Sequence, residues 1–306
     1  MERAVILSLV NILLIMMLAP LLQGVINKIK ALAGGRSGPP LLQVYYDILK
    51  LLRKKTVVSK TTTLLFFAGP VVSVATAIGA GLLLPFGGQP AVISFAGDMI
   101  LFIYLFALAR FFVATAAMDT GSAFEGMGAA REVTFSALAE PALLFGLLAL
   151  ARASGSLTLT RMLNVEQSNM WHSASASVVL IIISWFIVLL AENSRVPFDD
   201  PNTHLELTMI HEVMVLDHGG PLFGLVLYGA SLKLMLFSAV IASLIVPVHS
   251  GMAAVDSAVF LCGVLVVAVS VGLVESNMAR LRFVRVPQLL ITATLLAAFA
   301  VVLLLR

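Results

Sequence analysis

Apolar residues gather into eight long runs separated by polar stretches: about Ala4 to Ile26, Leu64 to Leu84, Met99 to Met118, Val133 to Leu150, Ser173 to Ala191, Leu222 to Val248, Ala258 to Val274 and Leu289 to Leu305. Each holds about 17 to 27 residues, enough for a helix rising ~1.5 Å per residue to cross a ~30 Å hydrocarbon core. The runs are continuously apolar and do not alternate with period two, which excludes a lipid-embedded barrel. The first run exceeds the h-region of a signal peptide, lacks a small-x-small cleavage site and carries its positive charge behind it, so it reads as a retained helix. The pattern predicts an all-α polytopic membrane protein with about eight transmembrane helices and a single integral membrane domain over 1–306. No internal repeat, low-complexity tract or linker interrupts it.

Between the first two runs the period changes. Leu41, Val44, Tyr45, Ile48, Leu51 and Leu52 recur at helical spacing, with Gln43, Asp47, Lys50 and Lys54 opposite, which predicts an amphipathic helix in the interface. Two readings stay open: a basic helix held on anionic headgroups, or one wall of a lateral opening or docking surface.

Composition agrees with the pattern: 60% of the 306 residues are hydrophobic and 11% charged, against roughly a quarter charged in soluble domains. The lone cysteine, Cys262, lies inside a run, so the chain has no intrachain disulfide, CxxC zinc site or cysteine-held cluster. The net charge of +3 reflects topology and gives no reason to expect nucleic acid. Odd-numbered loops carry 13 Lys and Arg against 2 in even-numbered loops, so odd loops are expected on the cytoplasmic side and both termini outside. Asp47, Asp119, Glu125, Glu132, Glu192, Asp199, Asp200, Glu206, Glu212, Asp217 and Glu275 fall on the odd side too. Acids do not set orientation, so this asymmetry has another cause.

Arg110, Glu140 and Lys233 lie inside runs, where a charge costs at least ~2.5 kcal/mol. Arg110 and Glu140 either merely neutralise each other or belong to a proton relay; Lys233 is a structural cation or a relay member. The fifth loop is densest in chemistry: Glu192, Arg195, Asp199 and Asp200 surround Pro197, and Thr203-His204-Leu205-Glu206 reads as a capping box opening a helix to about Leu216. His211-Glu212 begins an HExxH pattern, but Val215 holds the second histidine position, which rejects a zincin site. Solvated loop charge, another metal geometry and a proton entrance built on His204, His211 and the acids stay open.

Four stretches carry a family resemblance: Gly38-Pro39-Pro40-Leu41-Leu42-Gln43 through Asp47-Ile48-Leu49-Lys50-Leu51-Leu52; Asp119-Thr120-Gly121-Ser122-Ala123-Phe124 with Gly128-Ala129-Ala130-Arg131-Glu132; Glu192 through Asp199-Asp200-Pro201 with Glu206-Leu207; and Glu275-Ser276-Asn277-Met278-Ala279-Arg280-Leu281-Arg282-Phe283. Across essentially the whole chain the sequence resembles the subunit 1 family of respiratory complex I. It is more similar to the membrane subunit of energy-converting nickel–iron hydrogenases of the formate hydrogenlyase subunit 4 type. The resemblance implies an eight-helix, non-catalytic anchor in a prokaryotic cytoplasmic (inner) membrane that seats a soluble electron-transfer arm and couples its redox chemistry to proton movement. It implies no cofactor in this chain, with the Ni-Fe centre and iron–sulfur clusters on hydrogenase-like large and small subunits and an iron–sulfur subunit, beside antiporter-like membrane subunits and lipid. By position Glu192, Asp199 and Glu206 match the family's fifth-loop acids, Arg131 the arginine before helix 4, and Glu140 a carboxylate within it. Glu212, Arg110 and Lys233 join them as proton-pathway candidates from the residues alone. Arg36, Asp47, Asp119, Glu125, Arg195, Asp200, Arg280 and Arg282 are docking candidates. Asn202 and His204 stand where complex I versions carry acids, which weighs against the rival reading as a quinone-site subunit. The absence of repeats and interrupted helix pairs weighs against a stand-alone ion or solute transporter.

Overall fold

The computed structural model describes residues 2–165, 167–199, 209–246 and 251–305, the side chains of 2–9, 165, 167–169 and 172 excepted. These form nine α-helices: α1 (Glu2–Ala33), α2 (Gln43–Leu52), α3 (Leu64–Leu83), α4 (Asp98–Asp119), α5 (Ala123–Ser154), α6 (Gln167–Glu192), α7 (Gly220–Ile245), α8 (Ala253–Asn277) and α9 (Val286–Leu304). Eight of them, all but α2, are long and apolar enough to cross a membrane. No strand occurs among the described residues; the only extended pairing is an isolated bridge between Phe86 and Gln89. The expected all-α class and span count are therefore present.

Small side chains let the helices approach. A Cβ at Gly69 of α3 would lie 2.8 Å from the Ala116 side chain of α4, and one at Gly146 of α5 would lie 2.2 Å from the Trp185 indole of α6. In a membrane such close packing replaces the hydrophobic drive that lipid removes. Helix α7 is the most enclosed, its Ser231, Ser238 and Ala242 all buried, and it packs on α1, α2, α3, α6 and α8. Pro20 cannot donate to the Met16 carbonyl one turn back; the Tyr228 hydroxyl of α7 donates to that carbonyl instead, at 3.2 Å.

Loop bonding sorts by side. At one end Asp119 accepts from the Thr63 amide and hydroxyl at 2.6 and 2.9 Å, Glu125 accepts from the Asp217 amide at 2.9 Å, and the Leu281 amide donates to the Pro197 carbonyl at 2.9 Å. At the other, Asp98 accepts from the Leu159 amide at 2.8 Å, and Asn164 donates to the Gln89 carbonyl at 3.0 Å. Odd loops thus bond odd loops and even loops bond even loops, as alternating spans require.

Two boundaries differ from the hydropathy reading. Helix α5 begins ten residues before Val133, so Glu125, Arg131 and Glu132 are helical, not loop, residues. Helix α8 likewise runs on past Val274 to include Glu275.

Candidate functional site

The odd-loop end of the bundle is not a solvated fringe. Residues 193–199 turn back into the protein after α6, and Glu192, Arg195 and Asp199 are 4%, 5% and 2% exposed. Of the readings left open for this loop, solvated charge does not describe Glu192 and Asp199. The loop can be buried because each acid has its own cation or amide donors, which buried carboxylates require.

Four helices converge on Glu192. Arg110 Nη2 of α4 lies 3.0 and 3.1 Å from its two oxygens, and Lys233 Nζ of α7 lies 2.8 Å from Oε2. The other guanidinium nitrogen, Nη1, donates to Glu140 Oε1 of α5 at 2.6 Å. The planar fork of arginine holds two carboxylates at once, which a lysine there could not do. The result is one line, Glu140–Arg110–Glu192–Lys233, in which every charge has an opposite neighbour. Glu140 is its open end: its side chain is 34% exposed against 1% for Glu192, so it is less enclosed than its place inside a run suggests.

Beside this line is a cavity of about 70 Å³ lined by Ser73, Arg110, Glu132, Glu192, His211 and Lys233, among others. A smaller void of about 10 Å³ lies behind it, and Glu132, Glu192 and Ser194 line both. A space of the larger size has room for a few waters beside its charged side chains. Glu132 is 7% exposed and has no hydrogen bond or ion pair among the described residues. It therefore differs in kind from Glu140 and Glu192, whose charges are held by cations. Burial, with Lys233 nearby, pushes the His211 imidazole down to about 4, against a smaller upward pull from Asp199.

Asp199 anchors the approach to the cavity. Its Oδ1 lies 3.0 Å from Arg280 Nη2, and its Oδ2 accepts from the Ile210 and His211 amides at 2.9 and 3.3 Å. Those amides are thereby taken from any helical ladder, which explains why 209–216 forms only a 3-10 turn at Glu212–Val215 and not the expected α-helix to Leu216. Arg131 donates to the Met209 carbonyl at 2.9 Å. Arg131 and Arg280 both lie over the Phe283 ring, at 4.9 and 5.2 Å, so the first turns of α5 are joined to the fifth and seventh loops.

The remaining candidates divide by exposure. Arg36 and Arg282 are exposed; Asp47, Asp119 and Arg280 are half-buried. Glu125 and Arg195 turn inward: Glu125 is fully buried, and Arg195 lies 3.5 Å from Glu275, which also pairs with Lys30 at 2.9 Å. Both side chains bond within the chain, Glu125 to the Asp217 amide and Arg195 to Glu275. Asp200, Glu206 and the capping box with Asn202, Thr203 and His204 lie outside the described residues. Glu212 opens the 3-10 turn. Among the described residues no group of three or more His, Cys, Asp or Glu is placed to hold a metal.

Glu132 is the site residue that the sequence did not single out as a proton-pathway candidate; His211 was named only as part of a possible proton entrance with His204. One signal was available: Glu132 precedes Glu140 by two turns of one helix, on roughly the same side.

A family model described as NADH dehydrogenase matches residues 5–306. The chain belongs to this family, the complex I subunit 1 type. Within the family it is 31% identical over 302 residues to hydrogenase-4 component C of Escherichia coli K12, covering 97% of this chain and 94% of that one. It is 30% identical over 293 residues to formate hydrogenlyase subunit 4 of the same organism, covering 94% of each. The fold matches a chain in the structure of the membrane-bound sulfane sulfur reductase, an archaeal respiratory membrane complex, with a TM-score of 0.84 over 99% of both chains at 22% identity. Family membership, relatives and fold agree on a membrane subunit of an energy-converting complex.

Proposed function

We propose that this chain is the membrane anchor and proton-coupling subunit of a nickel–iron hydrogenase-type complex in a prokaryotic cytoplasmic membrane. The odd loops face the cytoplasm, in line with the Lys and Arg excess, and seat a soluble arm that carries the Ni-Fe centre and the iron–sulfur clusters; antiporter-like subunits flank the chain in the membrane. The curated relatives support this assignment.

The observation that carries the coupling role is the joining of a cavity large enough for water to a buried line of charge. Protons enter past Asp199 and His211 and reach Glu132 through cavity water, and the change of charge there acts through the Glu192–Arg110 pair on Glu140. A carboxylate with no cation in direct contact takes up and gives back a proton more readily than one held in an ion pair, and Glu132 has no cation within ion-pair distance among the described residues. Glu192, held by two cations, acts as the fixed negative charge that keeps Arg110 and Lys233 in place. The exposed flank of Glu140 is where a neighbouring membrane subunit would receive the charge displacement.

Cavity size supports protons and water over a quinone ring: about 70 Å³ lies well under the ~300–1,000 Å³ of small-molecule sites. Mass spectrometry of the gently solubilised native complex tests the assignment. The chain should emerge with a large subunit bearing nickel ligands. A quinone-reducing arm without such ligands, or a lone chain, would overturn it.

A further inference from the structure

The residues of α2 and of the turns at its two ends fall into three sectors by burial and charge. Val44 and Ile48 are buried against the bundle. The next sector, Leu41, Leu52, Leu49, Leu42 and Tyr46, is apolar and 44% to 56% exposed, with no protein over it. The third holds Lys50, Arg53 and Lys54, all exposed, and Lys55 and Lys60 follow in the connection to α3. Among the described residues none of these five cations has a carboxylate within ion-pair distance.

The position of α2 says what covers the apolar sector. Its N-terminal end lies on α1 at Gly24, where a Cβ would clash with the Leu41 carbonyl oxygen, and its C-terminal turn lies beside Gly224, one turn inside α7. Tyr45 donates to the Met17 carbonyl of α1, and Met17 is itself 70% exposed on the outer surface of α1. The apolar sector of α2 is thus continuous with the lipid-facing side of a membrane span.

We propose that α2 and the connection after it form a binding surface for an anionic phospholipid. The headgroup phosphate sits against Lys50, Arg53 and Lys54, and the acyl chains lie along Leu42, Tyr46, Leu49 and the adjoining face of α1. Three cations with no ion-pair partner among the described residues attract an anionic headgroup, and each juxtamembrane cation raises affinity for anionic lipid about five-fold. An acidic protein docked here would satisfy the cations but would leave the apolar sector in the wrong medium.

The test uses the intact complex purified from membranes, carrying wild-type chain or the triple variant Lys50→Gln, Arg53→Gln, Lys54→Gln. Retained anionic lipid is counted by mass spectrometry, and affinity is read after delipidation by adding phosphatidylglycerol or phosphatidylcholine in nanodiscs. Wild type should retain anionic lipid and prefer phosphatidylglycerol, and the triple variant should lose that preference by about 100-fold. Lys50→Arg with Lys54→Arg should keep it. Unchanged lipid retention in the triple variant would overturn the proposal. So would full replacement of the lipid by free glycerol phosphate, which would show a phosphate site only, or release of the soluble arm with lipid retained, which would show a protein-docking face.

Discussion

Replacing Glu192 by glutamine tests the charge line where it is most constrained. Arg110 Nη2 and Lys233 Nζ both depend on this carboxylate, at 3.0 and 2.8 Å, and it is almost fully buried. Removing one partner of a buried ion pair costs about 3–5 kcal/mol, because the surviving charge keeps its desolvation penalty. The amide oxygen still accepts one N–H, and Arg110 retains Glu140, so the lower end applies: about 3 kcal/mol. On the scale of ordinary domains that is a fall of about 5 to 10 °C in melting temperature. The assay is a temperature ramp of the solubilised complex, followed by size-exclusion fluorescence from a tag on this chain. Combining Glu192→Gln with Lys233→Met should cost about 2 kcal/mol less than the two singles together, since the second change removes a cation already orphaned by the first. A single variant melting within a degree of wild type, or strictly additive variants, would refute the pairing as the force that holds α4, α6 and α7 together.

Three further outcomes follow from the geometry. The folded His211 imidazole titrates at about 4 against an unfolded value near ~6.5. The unfolded chain therefore binds the extra proton first: stability is fully present above about pH 6.5 and falls as the pH drops toward 4, and a His211→Asn chain melted across that range should show a shallower fall. Gly128→Ala would place a Cβ 2.3 Å from Val213 and 3.0 Å from the Ile210 carbonyl oxygen; pushing α5 off the 209–215 segment should cost about 1–3 kcal/mol, visible as a lower melting temperature with the protein still assembled. Cysteines at positions 54 and 161 should react with impermeant reagent from opposite sides of the membrane, position 54 from the cytoplasm; labelling from one side only would overturn the topology.

The spans and the isolated charges within them were legible because lipid imposes a coarse rule: a long apolar run must be a helix, and an ionisable group inside it must have a partner. Arg110, Glu140 and Lys233 stood out for that reason. Their shared partner did not, because Glu192 sits where hydropathy ends a span, and a terminal acid looks the same whether the chain then leaves for water or folds back. The same blindness placed Glu125 and Glu132 in a loop. They are polar residues on a helix whose polar side faces the 209–217 segment, and only the tertiary path of that segment distinguishes this from a solvated surface. Arg195 is the converse case, an apparent docking charge that the structure pairs with Glu275. Periodicity identified α2 as amphipathic, but which apolar residues touch protein and which touch lipid depends on where α1 and α7 lie.

In the proposed mechanism Glu132 carries protons while Glu192 holds the structure. Proton uptake per electron, measured in inverted vesicles and normalised to assembled complex, tests it with Glu132→Gln. Because no cation depends on Glu132, assembly and melting temperature should match wild type, while proton uptake per electron falls by at least ten-fold. Glu140→Gln should behave similarly, since Arg110 keeps Glu192. Normal uptake by the Glu132→Gln complex would contradict the account.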